Sequence, residues 1–176
     1  WERLKAAQFE RLAVALLGAV IVSLLVWGLS ETRFIINPTT VFTTEADLRA
    51  IQWIEDNTPP GSRFLTNVVH WQYGTYRGVD GGWWITPLTG RKTLLPPVLY
   101  VMGERDYVTQ VNAYAENTSQ LQGCTPDFWD LVHSAEVTNI YLVNGRGSLQ
   151  PDSLEECANL AIIYANEGVF VYEIAE

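Results

Sequence analysis

The residues best suited to chemistry lie between His70 and Pro97, in the run HWQYGTYRGVDGGWWITPLTGRKTLLPP. It gathers Trp71, Tyr73, Tyr76, Trp83 and Trp84 around Gly74, Gly78, Gly81, Gly82 and Gly90. Glycine at that density is foreign to a regular helix or strand, because each one widens the backbone choices that folding must freeze. The stretch therefore reads as a structured loop. Rigid aromatic rings beside permissive glycines fit recognition of a sugar, an extended peptide or a partner surface, and they fit equally a core plug beneath a long loop. Asp80 and Arg91 are the charges of most interest. A carboxylate and a guanidinium among tryptophans suit a hydroxylated ligand, or they pair with each other and pin the loop. Arg77 and Arg91 facing solvent is a third arrangement.

No catalytic set emerges. Ser134 follows His133, but adjacent residues on a helix point apart. His70 and His133 are the only histidines, and neither stands at ligand spacing from the other or from a cysteine, so no metal centre and no cofactor are expected. Cys124 and Cys157 are the only thiols. Outside the cytoplasm such a pair favours a disulfide; two buried, unpaired cysteines are the alternative. Closing a loop of about 33 residues contributes on the order of 3 kcal/mol in the chain-entropy account.

The elements that position these residues follow from pattern. Leu12 to Leu29 is an uncharged run whose one polar side chain is Ser23. As a helix it measures about 27 Å, close to the hydrocarbon thickness of a bilayer. Trp27 falls where indole rings favour the membrane–water boundary. Arg3, Lys5 and Arg11 precede the run and Arg33 alone follows closely, which places residues 37–176 outside the cytoplasm. Residues 1–11 read as a cytoplasmic helical flank with Trp1, Leu4 and Phe9 on its apolar side, 12–30 as the span, 31–43 as a linker turning at Asn37-Pro38, and 44–176 as the external domain. Residues 1–36 carry net +1; residues 37–176 carry 7 basic and 17 acidic residues, net −10. An acidic body repels phosphate backbones, so nucleic acid is excluded as a partner. The start at Trp1 reads as a fragment or a processed product.

Within the external part, Thr44 caps a helix with Asp47 at its third position, and Leu48, Ile51, Trp53 and Ile54 form its buried face. Asn57-Thr58-Pro59-Pro60-Gly61 ends it. Arg63–Val69 is a buried strand. A helix spans about 103–122, with Tyr107, Val108, Val111, Tyr114 and Leu121 inward. Asn117-Thr118-Ser119 within it fits the N-glycosylation pattern. Thr125-Pro126 opens another helix carrying Phe128, Trp129, Leu131 and Val132 inward. Asn139–Val143 is a strand turning at Asn144-Gly145, a short helix covers about 151–160, and 161–164 with 169–174 form a hairpin around Ala165–Gly168. The order implies an α/β domain with a small mixed sheet and flanking helices, preceded by one transmembrane helix.

Three segments resemble a known family. Ala46 to Pro59 (ADLRAIQWIEDNTP) is similar to the A-x-x-W-I-x-x-N-T-P helix that opens the extracytoplasmic C-terminal domain of many GT-C-type membrane glycosyltransferases, oligosaccharyltransferase catalytic subunits among them. Asp80 to Ile85 and Leu88 to Arg91 resemble their D-G-G-x-W-I…T-G-R loop, and Tyr164 to Ile174 their terminal hairpin. The resemblance implies a polyprenyl-phosphate sugar donor and an acceptor at the outer membrane face. His70 to Gly74 matches the family's Trp-Trp-Asp-Tyr-Gly acceptor motif at Trp71, Tyr73 and Gly74, with Gln72 in place of the aspartate. The family's catalytic acids lie in loops between membrane helices, so one span implies a non-catalytic module or a fragment of the enzyme, and whether the parent protein is an enzyme stays open. The acceptor-binding candidates are Trp71, Tyr73, Tyr76, Asp80, Trp83, Trp84 and Arg91, with a glycan or polyprenyl-linked sugar as ligand. The alternative is a structural subunit of a membrane complex, whose span packs on other membrane helices through Ala13, Ala15, Gly18, Ala19 and Ser23.

Overall fold

A computed structural model describes residues 2–33, 35 and 41–175, in two compact units, Trp1–Val41 and Phe42–Glu176. The first unit is one helix, α1 (Glu2–Thr32), so the expected flank and span are continuous. Its Phe9–Thr32 portion is long and apolar enough to cross a membrane. Ser23 returns its hydroxyl proton to the Ala19 carbonyl at 2.8 Å, which satisfies the one polar group of the run within the helix. Trp27 donates its indole N–H to Glu31 at 3.2 Å. Trp1 and the Asn37-Pro38 turn lie outside the described residues, as does the side chain of Leu4.

The second unit is the expected α/β domain. A five-stranded mixed sheet has the order β4-β1-β5-β7-β6. Here β1 (Arg63–Thr66) runs parallel to β4 (Lys92–Thr93) and to β5 (Asn139–Val143). Strand β5 then pairs antiparallel with β7 (Val169–Ile174), and β7 with β6 (Leu160–Asn166). A separate hairpin joins β2 (Val68–His70) to β3 (Tyr76–Gly78).

Side chains alternate across the sheet. Phe64, Tyr141 and Val171 meet Ala50, Ile51 and Ile54 of α2 (Glu45–Asn57) on one face. On the other, Leu65, Ile140 and Leu142 meet Phe128, Leu131 and Val132 of α5 (Pro126–Ser134), whose N-cap Thr125 accepts from the Phe128 N–H. The short α3 (Ile85–Thr89) lies between, and α4 (Arg105–Gln120) packs Val111 and Ala115 on Val68, Leu95 and Tyr100. The β6–β7 turn places Glu167 and Gly168 at φ 47 and 81, the mirror-image geometry whose twist matches paired strands.

Several expectations need correction. The strand expected over 63–69 breaks at Asn67, which is fully buried because its side chain serves the loop at 146–149: it donates to the Arg146 and Leu149 carbonyls at 2.8 and 2.7 Å and accepts from Leu149 N. Leu48 and Tyr107 are half-exposed rather than inward; on α2 the burial shifts to Ala46, Asp47 and Ala50. The helix expected over 151–160 is only a 3-10 turn, Pro151–Leu154, and the chain passes through Cys157 into β6 at Leu160, where the Asn159 carbonyl accepts from Ala175 at 2.9 Å. The aromatic stretch is not one loop but the β2–β3 hairpin, a 3-10 turn Gly81–Trp84, α3 and β4, and a second 3-10 segment, Val98–Met102, follows it.

Cys124 and Cys157 form a disulfide with Cα atoms 6.1 Å apart. It ties the entry of α5 to the approach of β6. Replacing both by alanine is expected to lower the unfolding free energy by about 3 kcal/mol, read by urea denaturation against the parent chain.

Candidate functional site

The charges of the aromatic stretch turn inward. Asp80 is 1% exposed and caps the Gly81–Trp84 turn, accepting from Gly82 N at 2.9 Å. Arg91 is buried too. It donates to the Glu55 and Thr58 carbonyls at 2.7 Å each, and to Thr89 O, so it satisfies the bare C-terminal carbonyls of α2. Asp80 and Arg91 do not pair, contrary to one expectation, and Arg91 does not face solvent. Each answers a different backbone. Arg77 is half-buried, with its guanidinium 4.5 Å over the Phe42 ring.

Beneath the turn lies a carboxylate that sequence reasoning assigned only to a helix cap. Asp47 completes the capping box with Thr44 through Oδ2, at 2.7 Å from Thr44 N and 2.6 Å from its hydroxyl. Its Oδ1 accepts from Gly81 N at 3.0 Å and from the Tyr141 hydroxyl at 2.6 Å. The paired glycines follow from this. A Cβ on Gly81 would run into the Asp47 side chain, and one on Gly82 would come within 2.9 Å of Thr66, Tyr141 and Asp80.

Asp80 Oδ2 is buried without a partner, as are Nη1 of Arg77 and Nε of Arg91. Burial pushes the Asp80 carboxyl up to about 7; Gly82 N–H opposes this, the Asp47 charge adds to it and Arg146 opposes it. Burial, with the Asp80 and Asp47 charges, also drives the Tyr141 hydroxyl well above its ordinary value.

The aromatic side chains divide. Trp83 lies half-buried over Gly78, where a Cβ would meet its ring at 3.3 Å. Tyr76 is half-buried and receives its neighbour through its backbone, Tyr76 N donating to the Tyr100 hydroxyl at 3.1 Å. Trp84 is 49% exposed. The loop 71–75 at the tip of β2–β3 is closed by Trp71 N to Thr75 O at 2.7 Å. It holds Trp71 at 42% exposure and Tyr73 at 98%, with Tyr73 and Gly74 both left-handed, φ 55 and 72. His70 at its base meets Tyr76 edge-on.

Of the seven residues named from sequence, then, Asp80 and Arg91 are structural, Trp83 and Tyr76 are packed, and Trp71, Tyr73 and Trp84 reach the surface. A cleft of about 390 Å³, lined by Arg63, Lys92, Thr86, Thr93, Tyr107 and Tyr114 among others, includes none of them. Its signal in the sequence was Lys92, the one lysine of residues 37–176. Among the described residues no three His, Cys, Asp or Glu side chains gather as metal ligands. No protein-family model, no curated protein and no solved structure matches this chain.

Gly81→Ala is expected to destabilise the fold by about 1–3 kcal/mol, since the crowded side belongs to a carboxylate already holding four bonds; thermal and urea unfolding check it. Asp80 supplies a pH signature. Its proton is held up to about pH 7 in the folded chain but released near 3.8 when unfolded, so the folded state binds more protons in between. Stability contributed by this group therefore falls as pH rises from about 4 to 7 and levels above. Asp80→Asn keeps the bond from Gly82 and removes the charge. Its stability relative to the parent should climb across that window, measured by urea unfolding at stepped pH.

Proposed function

We propose that this chain is a membrane-anchored, extracytoplasmic binding module, related to the C-terminal module of GT-C-type glycosyltransferases, that presents an aromatic hairpin tip to a polyprenyl-linked sugar or its acceptor. The observation that carries the reading is the tip itself. Tyr73 stands almost wholly in solvent beside a half-exposed Trp71, on a backbone closed by hydrogen bonds, while Asp80 and Arg91 of the same stretch are spent on the fold. Exposed aromatics on a stiff turn lose little freedom on binding and offer flat apolar faces to sugar rings. Support for the anchoring comes from the apolar helix Phe9–Thr32 and from the basic residues ahead of it. The order and spacing of the three sequence likenesses support the kinship. The module performs no chemistry of its own; its role is to hold a ligand near the lipid surface for a catalytic partner.

The test is binding by the full chain in detergent. Trp71→Ala/Tyr73→Ala should weaken affinity for a polyprenyl-phosphate-linked sugar or an acceptor peptide at least tenfold, about 1.4 kcal/mol, with far-UV circular dichroism unchanged. A parent chain that binds neither, or a variant that binds as tightly, overturns the reading. Loss of co-purification with a membrane protein instead, with no ligand bound by the parent, would assign the tip to subunit assembly.

A further inference from the structure

We infer that one face of the globular unit, the β2–β3 tip together with the 3-10 segment Val98–Met102, seats in the headgroup layer of the bilayer. The inference rests on the anchoring part of the reading above and goes beyond it, because an anchored domain is free to ride clear of the lipid.

The two segments are neighbours. Tyr100, buried in the middle of the 3-10 segment, accepts on its hydroxyl from Tyr76 N at the base of the tip and donates to Asn112 at 2.7 Å. The two segments bring exposed large apolar side chains near that fixed ring, Leu99 at 70%, Met102 at 80% and Val101 at 40% from one and Trp71 and Tyr73 from the other, with His70 and Gln72 as the exposed polar side chains of the hairpin. Large apolar residues gathered this way on a monomer mark a contact surface. Tryptophan and tyrosine are the types that favour the interfacial zone.

Charge points to lipid as the occupant. Residues 57–103 hold a single acid, the buried Asp80, while of their four basic residues Arg91 and Arg77 turn inward, Arg63 pairs with Glu136 and Lys92 is exposed. The rest of residues 37–176 holds three basic and sixteen acidic residues, net −13. An anionic surface repels such a body least where residues 57–103 reach the surface, since they add no exposed acid there, although Glu116 of α4 acts on Tyr76 at the base of the tip. Glu104 and Asp106 border the apolar patch, with Arg105 between them. Chain length agrees. Nine residues, 33–41, join α1 to the globular unit, a reach of at most about 30 Å. Any exposed apolar surface on the tethered body therefore meets lipid at high local concentration.

The experiment uses the full chain in bilayer discs of equal parts phosphatidylcholine and phosphatidylglycerol. A nitroxide is placed in turn at Tyr73→Cys, Met102→Cys, Leu25→Cys and Asp152→Cys; both native cysteines are disulfide-bonded and do not react. All four positions are exposed, so the substitutions leave the core intact. Power saturation reads accessibility to oxygen, which concentrates in lipid, and to a nickel chelate, which stays in water. Nickel accessibility at 73 and 102 should fall severalfold below that at 152, with oxygen accessibility maintained or raised. If 73 or 102 stays as wet as 152 while 25 reports hydrocarbon, the inference fails and the anchoring stands. If nickel and oxygen fall together at 73 and 102, protein covers the face and the inference fails. If 25 is itself wet, the anchoring reading falls, and this inference with it.

Discussion

A single carboxylate sits where the globular unit is most crowded. Asp47 takes four hydrogen bonds from three places: the Thr44 cap of α2, the Gly81 turn and Tyr141 on the central strand β5. A charge that is 1% exposed is costly unless several donors replace its water, and here both oxygens are doubly served. The cost of that arrangement is geometric. Backbone and hydroxyl donors must approach within about 3 Å, so the turn that passes over the carboxylate has no room for a Cβ. The Gly81-Gly82 pair, the start of α2 and the register of β5 are thereby fixed together, and moving any one of them strands the charge.

The aromatic stretch inherits its division of labour from that constraint. Once the turn at 80–84 is held down on Asp47, Asp80 is carried into the interior with one oxygen bonded to Gly82 and the other without a partner. Two buried carboxyls then share one neighbourhood, and the less well served of them holds its proton toward neutrality. Arg91 is drawn down in the same way, onto the C-terminal carbonyls of α2. The polar groups that looked fit to meet a ligand are consumed in fixing the loop, and the side chains left over at the surface are the rings. What this stretch offers at its surface is accordingly chiefly the apolar faces of Trp71, Tyr73 and Trp84.

The sequence made some of this legible and concealed the rest for physical reasons. Elements defined by local signals were readable: the Thr44 and Thr125 caps, the β5 run NIYLV, the β6–β7 turn and the apolar α1 all depend on neighbours in the chain. The disulfide was readable because two cysteines leave one pairing. The second duty of Asp47 was not, since Tyr141 lies 94 residues away and no local pattern signals a cross-domain bond. Asn67 reads as a strand residue among β-formers, yet its amide is taken by a loop 82 residues further on. The 3-10 turn at 151–154 stands where Pro151 seemed to open a helix, and the chain beyond it pairs with β7. Among the site residues, composition left the rings open between a recognition surface and a core plug and could not sort buried from exposed ones, a distinction set by where the hairpin turns.

Net charge shows the same gap between chain and space. As a sum, −10 over residues 37–176 says only that the body avoids anions. Sheet order turns that sum into a direction. Because β4 and β1 lie at one edge and β7 and β6 at the other, the acid-poor segment 57–103 supplies one edge of the sheet and the acid-rich C-terminal segment the opposite one. The helices cross between them: α2 packs beside Ile85, α5 on Leu65, and α4 lays Val111 and Ala115 against Val68 of β2. A parallel crossover from β1 to β5 that had inserted β5 at the outer edge would have interleaved the two halves and cancelled the asymmetry. The uneven charge at the two sheet edges is thus a property of topology acting on a segregated sequence, which the helices packed across the sheet then moderate.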